Sequence, residues 1–163
     1  MPWSEPLRAS SYDLEKGLRQ VEVRDGDGVL ALSVQYKYWL EHGTSALGEI
    51  VAHSKEGTAR QRVRAFVLLT REAVRSARAL GIRYAHAEAV PEMRAIAEAA
   101  FDVMADAGGR ATWTGELADL EAKGRAKTEE DGRVKGLTPQ REQELVDEMD
   151  RRATPARGAR GGQ

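Results

Sequence analysis

The stretch from Arg60 to Phe101 constrains the fold most, because it follows a long amphipathic helix with a strand and a second helix almost without linkers. Apolar side chains recur at three- and four-residue intervals from Val63 to Leu80, and charged side chains fill the other side. This spacing predicts a helix with one buried face. The glycine that follows, Gly81, can adopt the positive φ that ends a helix.

A strand and a second helix are predicted next. Residues Ile82–Glu88 alternate large and small side chains with period two, which is typical of a strand. Pro91 suits the first turn of a helix that runs to Phe101. A preceding strand, Glu49–His53, is expected to lie parallel to Ile82–Glu88, because a helix connects the two.

A β-hairpin is predicted before this unit. Leu18–Arg24 and Val29–Leu40 flank Asp25–Gly28, and the Asp-Gly pairs of this segment supply the positive φ angles of a tight turn. Residues 1–16 contain two prolines and little periodicity, so we expect an N-terminal arm there, with Trp3 packed on the domain or on a neighbour.

The C-terminal third is more polar. A last strand is predicted at Arg110–Thr114 and a short helix at Leu117–Ala122, followed by a linker. Thr138 can cap a helix over Pro139–Arg152, and residues 153–163 are expected to be disordered. The expected division is therefore an arm (1–16), a domain (17–116), and a linker with a short helix and a basic tail (117–163).

Composition excludes several classes of protein. The 163 residues include 25 basic and 26 acidic side chains, which argues against a dedicated nucleic-acid binder. The absence of cysteine excludes disulfides and thiolate chemistry, and the histidines lack metal-ligand spacing, so no metal site is predicted. No apolar run approaches a membrane span, and we expect a soluble protein of the cytoplasm.

The order of elements and one motif resemble the GNAT N-acetyltransferase superfamily over about Val21 to Thr114. That family binds acyl-CoA through Arg or Gln, two residues, Gly, one residue, and Gly or Ala. Arg60-Gln61-Arg62-Val63-Arg64-Ala65 matches at its first and last positions, with Val63 in place of the glycine. The resemblance implies an α/β fold, β-β-β-α-β-α-β, with a mixed central sheet flanked by helices, an N-terminal arm and a C-terminal helical tail. It also implies cofactor contacts at Arg60, Arg62, Val63, Arg64 and Ala65.

A second family motif lies on the following helix. Pro91 to Phe101 matches the family's Asn-Pro, Leu-Tyr and Gly-Phe pattern at the proline, at Ile96 and at Phe101. Ala97 stands where many members carry a tyrosine that protonates the departing CoA thiolate, and alanine cannot transfer a proton. Glu49 lies where members often carry a general base, so it is the candidate catalytic residue; an outward-facing strand glutamate is the simpler interpretation.

Two interpretations of function follow. The first is a catalytically reduced GNAT-like domain that serves as a structural or interaction protein, of the kind known among the virion and assembly proteins of tailed bacteriophages. Its arm and its C-terminal helix, through Leu145, Val146 and Met149, would bind neighbouring subunits, and the arginines of Arg60–Arg64 would bind an anion. This interpretation expects no cofactor. The second is an active N-acetyltransferase that uses acetyl-CoA on a small amine or a protein amine.

Overall fold

A computed structural model describes residues 2–89, 93–103 and 111–161. Within them, seven strands and four helices follow one another along the chain. They are β1 (Arg8–Glu15), β2 (Leu18–Arg24), β3 (Leu30–Trp39), β4 (Thr44–Leu47), β5 (Val51–Ala52), α1 (Ala59–Ala79), β6 (Tyr84–Ala89), α2 (Arg94–Phe101), β7 (Ala111–Glu116), α3 (Leu117–Lys127) and α4 (Pro139–Gly161). One mixed sheet holds all the strands in the order β1-β2-β3-β4-β6-β7, with β5 paired to β3. The predicted fold class is confirmed.

The hairpin of β2 and β3 forms where the sequence predicts it. Gly28 has a φ of 86°, and the Asp25 carboxylate accepts hydrogen bonds from the backbone amides of Asp27 and Val29. The two strands then pair antiparallel from Leu18 opposite Lys37 to Arg24 opposite Leu30. The turn is therefore held by a side chain as well as by the glycine.

The strand parallel to β6 differs from the prediction. β6 pairs with β4 (Thr44–Leu47), whereas Val51 and Ala52 of the predicted Glu49–His53 strand pair only with β3. The register on β3 shifts by one residue between these two segments, and the Gly48 amide donates to the Gln35 carbonyl there. The extra residue forms a bulge that turns the chain away from β6. The prediction missed it because Thr44 and Ser45 resemble a loop in sequence.

The helix α1 is the central packing element, as the sequence predicts. Thr58 caps it: its hydroxyl accepts from the Gln61 amide, and the Gln61 side chain accepts from the Thr58 amide. The buried side of α1 includes Phe66, whose ring packs against Phe101 of α2 with 6.4 Å between centroids. Pro91, expected to begin α2, lies outside the described residues.

The two faces of the sheet are unlike each other. On one face, the side chains of β2 and β3 are buried against α1: Val21, Val23, Val34, Tyr36 and Tyr38. On the other face, in the part of the chain that the structure describes, the alternate side chains are exposed: Gln35, Lys37, Trp39, His86 and Thr114. The four helices contact one another across α1 and form one layer. The fold is thus two layers. The second sheet face is exposed from Gln35 to Trp39 and at His86 and Thr114, and we call this part the uncovered face; Glu22 and Ser33 on the same side are buried.

The N-terminal segment is more ordered than expected. Residues 8–15 of the expected arm form β1, which pairs antiparallel with β2 at the edge of the sheet. Trp3 packs on the domain rather than on a neighbour: it is 5% exposed, and its indole nitrogen donates to the Ser54 hydroxyl at 2.9 Å. The period-two pattern of β1 was hidden because several of its residues are polar and exposed.

The C-terminal segment also differs from the expectation of a linker and a tail. α3 continues to Lys127 instead of ending at Ala122, and α4 runs from Pro139 to Gly161 instead of ending at Arg152. Thr138 caps α4 as predicted, since its hydroxyl accepts from the Arg141 amide at 3.1 Å. The division of the chain into an arm, a domain and a tail stays a prediction. No helix in the described ranges is long and apolar enough to cross a membrane.

Candidate functional site

The region around the start of α1 is the candidate site, because the resemblance places an acyl-CoA there. Three arginines lie in the first two turns of α1, Arg60, Arg62 and Arg64, and the first turn carries no acidic residue. Cations at this end of a helix oppose the macrodipole, so they require anionic partners nearby. The described chain supplies these partners itself.

Each of the three arginines pairs with a carboxylate from a distant segment. The Arg60 Nε donates to both carboxylate oxygens of Glu142, at 3.0 and 3.1 Å. The Arg62 guanidinium makes a bidentate pair with Asp150, at 3.0 and 2.9 Å.

The third arginine and a lysine complete the network. The Arg64 Nη1 donates to the Glu5 carboxylate at 2.9 Å, and the Lys55 ammonium lies 3.7 Å from Asp150. We call Lys55, Arg60, Arg62 and Arg64 the basic cluster. Its four positive charges face four carboxylates of the chain: Glu142 and Asp150 of α4, Glu5, and Asp131, which lies 3.9 Å from the Arg64 Nε.

The arginines lower the pKa of two of these carboxylates. The hydrogen bond from Arg62 lowers the pKa of Asp150, with further contributions from the charges of Arg62 and Lys55. Hydrogen bonds from Arg64 and then from Gln61 lower the pKa of Glu5. Both carboxylates are therefore ionised at neutral pH and hold the basic cluster in place.

The predicted motif lies inside α1 and not in the loop before it. Val63, which stands where the family pattern has its glycine, is 0% exposed and belongs to the core. Ala65 is buried in the same way. The cofactor contact implied at Val63 is therefore wrong: because successive helical residues rotate by about 100°, Val63 lies in the core, whereas the guanidinium groups of Arg62 and Arg64 reach carboxylates of α4 and of the N-terminal segment.

The loop before α1 contains a second, partial match to the family's acyl-CoA pattern. Gly57 and Ala59 also fit the family pattern at its glycine and at its last position, and they lie at the turn where α1 begins. A Cβ at Gly57 would lie 2.5 Å from the Trp3 ring. The close approach that glycine permits is therefore made here by the chain's own tryptophan.

Gln61 holds this tryptophan in position. Its side-chain oxygen accepts from the Trp3 amide at 3.0 Å, and its side-chain nitrogen donates to the Trp3 carbonyl at 2.8 Å. The same nitrogen donates to the Glu5 carboxylate. Because Gln61 also completes the helix cap, the start of α1 and the N-terminal segment form one hydrogen-bonded unit.

Glu49, the candidate catalytic base, is exposed and lies between β4 and β5 rather than on a regular strand. Ala97 is buried on α2. His53 and His86 make hydrogen bonds to hydroxyl groups: His53 Nε2 lies 2.7 Å from the Ser33 Oγ, and His86 Nδ1 lies 2.6 Å from the Thr114 Oγ1. Among the described residues, no group of three or more potential ligands can hold a metal ion.

The residues expected to bind a partner are buried within the chain. Leu145 is 0% exposed, and Val146 and Met149 are nearly as buried, in the same core as α1 and α2. α4 contacts both of these helices. The expectation that this stripe docks on another subunit is therefore corrected: a narrow stripe is enough here because ion pairs with α1 flank it.

Fold and site together describe an α/β domain with a GNAT-like order of elements, whose basic cluster is neutralised internally. No protein-family model matches the chain, and no curated protein matches it. Among solved structures, it is similar to the "Spermidine N-acetyltransferase SpeG K23-Q34 chimera from Vibrio cholerae and hSSAT". The TM-score is 0.43 and the sequence identity is 14%, over 65% of this chain and 70% of that chain. A likeness this distant assigns neither an activity nor a substrate.

Proposed function

We propose that the chain is a GNAT-like domain that does not hold acetyl-CoA at the start of α1 and acts as a structural or interaction protein. The observation that carries this proposal is the pairing of Arg60, Arg62 and Arg64 with Glu142, Asp150 and Glu5. An incoming phosphate would have to displace these carboxylates. Glu142 is only 1% exposed, so breaking its pair would leave a buried charge without compensation.

The uncovered face of the sheet is the surface that we propose for interaction. Trp39 and Tyr84 are 43% and 42% exposed, and each is paired in the sheet with Thr44 of β4, from opposite sides. They are therefore two strands apart, roughly 10 Å. The Arg83 guanidinium lies 5.4 Å from the centre of the Tyr84 ring. Tryptophan, tyrosine and arginine are the residue types that dominate binding energy at protein interfaces.

The proposal includes self-association through this face, as in an assembly built from many copies. A component of a bacteriophage virion, or of its assembly, is the setting that the sequence resemblance suggests. Such a particle needs a surface through which its copies bind one another, and it does not need an enzymatic site. The uncovered face, with further exposed side chains at Tyr12 and Leu14 of the edge strand, supplies one.

Titration of the full chain with acetyl-CoA tests the loss of the cofactor site. Isothermal calorimetry should show no heat of binding, and acetyl-CoA should leave the melting temperature unchanged, whereas a ligand at 100 times its Kd would add about 2.7 kcal/mol to the free energy of unfolding. Tight binding by the wild-type chain would contradict the proposal.

Sedimentation equilibrium tests the interaction surface. We expect the wild type to associate with increasing concentration and Trp39→Ser with Tyr84→Ser to stay monomeric. Val29→Ser is the matched control, because Val29 is 46% exposed but lies at the hairpin turn, before β3 begins. A wild type that is monomeric at all concentrations contradicts self-association through this face.

A second candidate is an active N-acetyltransferase acting on a small amine or a protein amine, with acetyl-CoA as the acyl donor. The observation that favours it is the parallel pairing of β4 with β6, which ends at Leu47 and Ala87, beside the bulge at Gly48. Two strands that part in this way leave room for a ligand between them. Release of free CoA thiol from acetyl-CoA with spermidine or a lysine peptide as acceptor is the measurement. Turnover above that of the Glu49→Gln variant would support this candidate.

A further inference from the structure

A cleft of about 280 Å³, partly open to solvent, lies on the helix layer where α1 and α3 contact each other. Part of its lining is apolar: Ala9 of β1, Leu68 and Val74 of α1, and Phe101 of α2. The rest is charged: Arg71, Glu72 and Arg75 of α1, with Glu121 and Arg125 of α3. None of these residues belongs to the basic cluster or to its carboxylate partners, so the cleft is separate from the candidate site at the start of α1.

Arginine is in excess among the charged groups of the cleft, where three arginines face two glutamates. Both glutamates are already engaged. The Glu121 carboxylate accepts from Arg78 at 2.6 Å and from Arg125 at 3.0 Å, so two guanidinium groups share it. The Glu72 carboxylate accepts from the Arg75 Nε at 2.8 Å. The charged lining therefore keeps a positive excess that an anion can neutralise.

Arg71 is the lining arginine that has no carboxylate partner in the described ranges. Its Nη1 donates to the backbone carbonyl oxygens of Glu129 and Glu130, at 2.8 and 3.1 Å. These bonds hold the guanidinium in place but do not neutralise it, because a carbonyl group carries no net charge. A guanidinium has five N–H donors in a planar fork. The Nε and Nη2 donors of Arg71 can therefore bind two oxygens of one carboxylate or phosphate.

The apolar lining sets a second requirement for a ligand. Val74 and Phe101 are buried, whereas Ala9 and Leu68 are half-buried and still meet solvent. A bare inorganic ion would leave these side chains in water, whereas a ligand with an apolar body would cover them. A cavity of about 150 Å³ accepts benzene. The cleft has nearly twice that volume and therefore has room for a ring with an anionic substituent.

We propose that this cleft binds a small organic anion, in which an apolar body of about six to ten heavy atoms carries a carboxylate or a phosphate monoester. Arg71 binds the anionic group, and Arg75 and Arg125 add positive charge beside it. The apolar body lies against Leu68 and Val74. This inference goes beyond the proposed function and does not depend on it.

Titration of the methyl-labelled full chain with benzoate, phenyl phosphate and benzamide tests the site by NMR. We expect benzoate or phenyl phosphate to shift the methyl signals of Ala9, Leu68 and Val74 with saturation, and the tighter ligand identifies the anionic group. Benzamide has the same ring without the charge and should bind about tenfold more weakly. Ala31 and Val63 are the internal controls, since both are fully buried and do not line the cleft. Equal binding of benzamide, or no saturable shift with either anion, would overturn the proposal.

An arginine variant locates the anionic group. Arg71→Gln removes the charge and keeps a side-chain donor, and it should weaken binding of the anion by about tenfold. Arg141→Gln is the matched control: Arg141 is 52% exposed and pairs with Glu144 on α4, so the same change outside the cleft should alter the affinity by less than about twofold. If Arg71→Gln fails to fold, Arg125→Gln removes a second lining charge from a side chain that is 77% exposed, and it should weaken binding by about threefold. A folded variant that binds the anion as tightly as the wild type would exclude this site.

Discussion

The helices α1 and α4 are similar in length, with 21 and 23 residues, yet they depend on different forces. α1 buries a wide apolar side against the sheet, from Val63 to Ala77. Among its described side chains, α4 buries a narrow stripe around Leu145, and ion pairs of Glu142 and Asp150 also join it to α1. The comparison teaches that a weakly amphipathic helix can join a core when complementary charges orient it.

The same comparison concerns function. The charges that orient α4 are the charges that would otherwise bind a phosphate at the start of α1. A helix that needed only apolar contacts would have left the basic cluster free. In this chain, the docking of α4 places carboxylates against Lys55, Arg60 and Arg62, whereas Glu5 of the N-terminal segment pairs with Arg64.

The largest expected effect is on α1. Phe66→Ala should lower the free energy of unfolding by about 3 to 5 kcal/mol, because it removes a buried ring that packs on Phe101. Urea denaturation measures this change. A loss below about 1 kcal/mol would mean that this side of α1 is not buried.

The next effect tests whether α4 belongs to the same core. Leu145→Ala should cost about 2 to 5 kcal/mol in the same urea experiment, because Leu145 is fully buried. Its transition should stay single and cooperative. If the variant instead melts like the wild type, α4 is only loosely attached, and its stripe is available to a partner after all.

The contribution of the ion pair is expected to be smaller. Glu142→Gln should cost about 1.5 to 3 kcal/mol, since it weakens hydrogen bonds to a charged group in a buried position. Glu144→Gln is the control on the same helix: Glu144 pairs with Arg141 on the surface, and this change should stay within about 0.5 kcal/mol. Equal effects of the two substitutions would contradict an orienting role for Glu142.

The smallest effect is a dependence on pH. Because the Arg62 hydrogen bond lowers the folded-state pKa of Asp150 below its unfolded value, the pair stabilises the protein above the unfolded pKa. This stabilisation is lost as pH falls from about 5 through the folded-state pKa. Asp150→Asn should therefore show a shallower loss of stability on acidification than the wild type. Thermal melts at a series of pH values measure the difference, and parallel curves would contradict it.

Much of the fold follows from local patterns in the sequence. The hairpin at Asp25–Gly28, the span of α1 and the cap at Thr138 were all predicted, because each depends on residues that are neighbours along the chain. The candidate site was predicted only in part. Its arginines were identified, but their partners Glu5, Glu142 and Asp150 lie 59, 82 and 88 residues away in sequence.

By itself, the sequence determined the elements whose hydrogen bonds and apolar periodicity are local: the hairpin, the long helix and the strand that follows it. Three other features depend on the tertiary structure: β6 pairs in parallel with Thr44–Leu47, Val63 is buried in the core, and the apolar stripe of α4 around Leu145 is buried. The physical reason is that a bulge, a buried side of a helix and an ion pair each require a second segment. That segment is chosen by packing and charge across the whole fold.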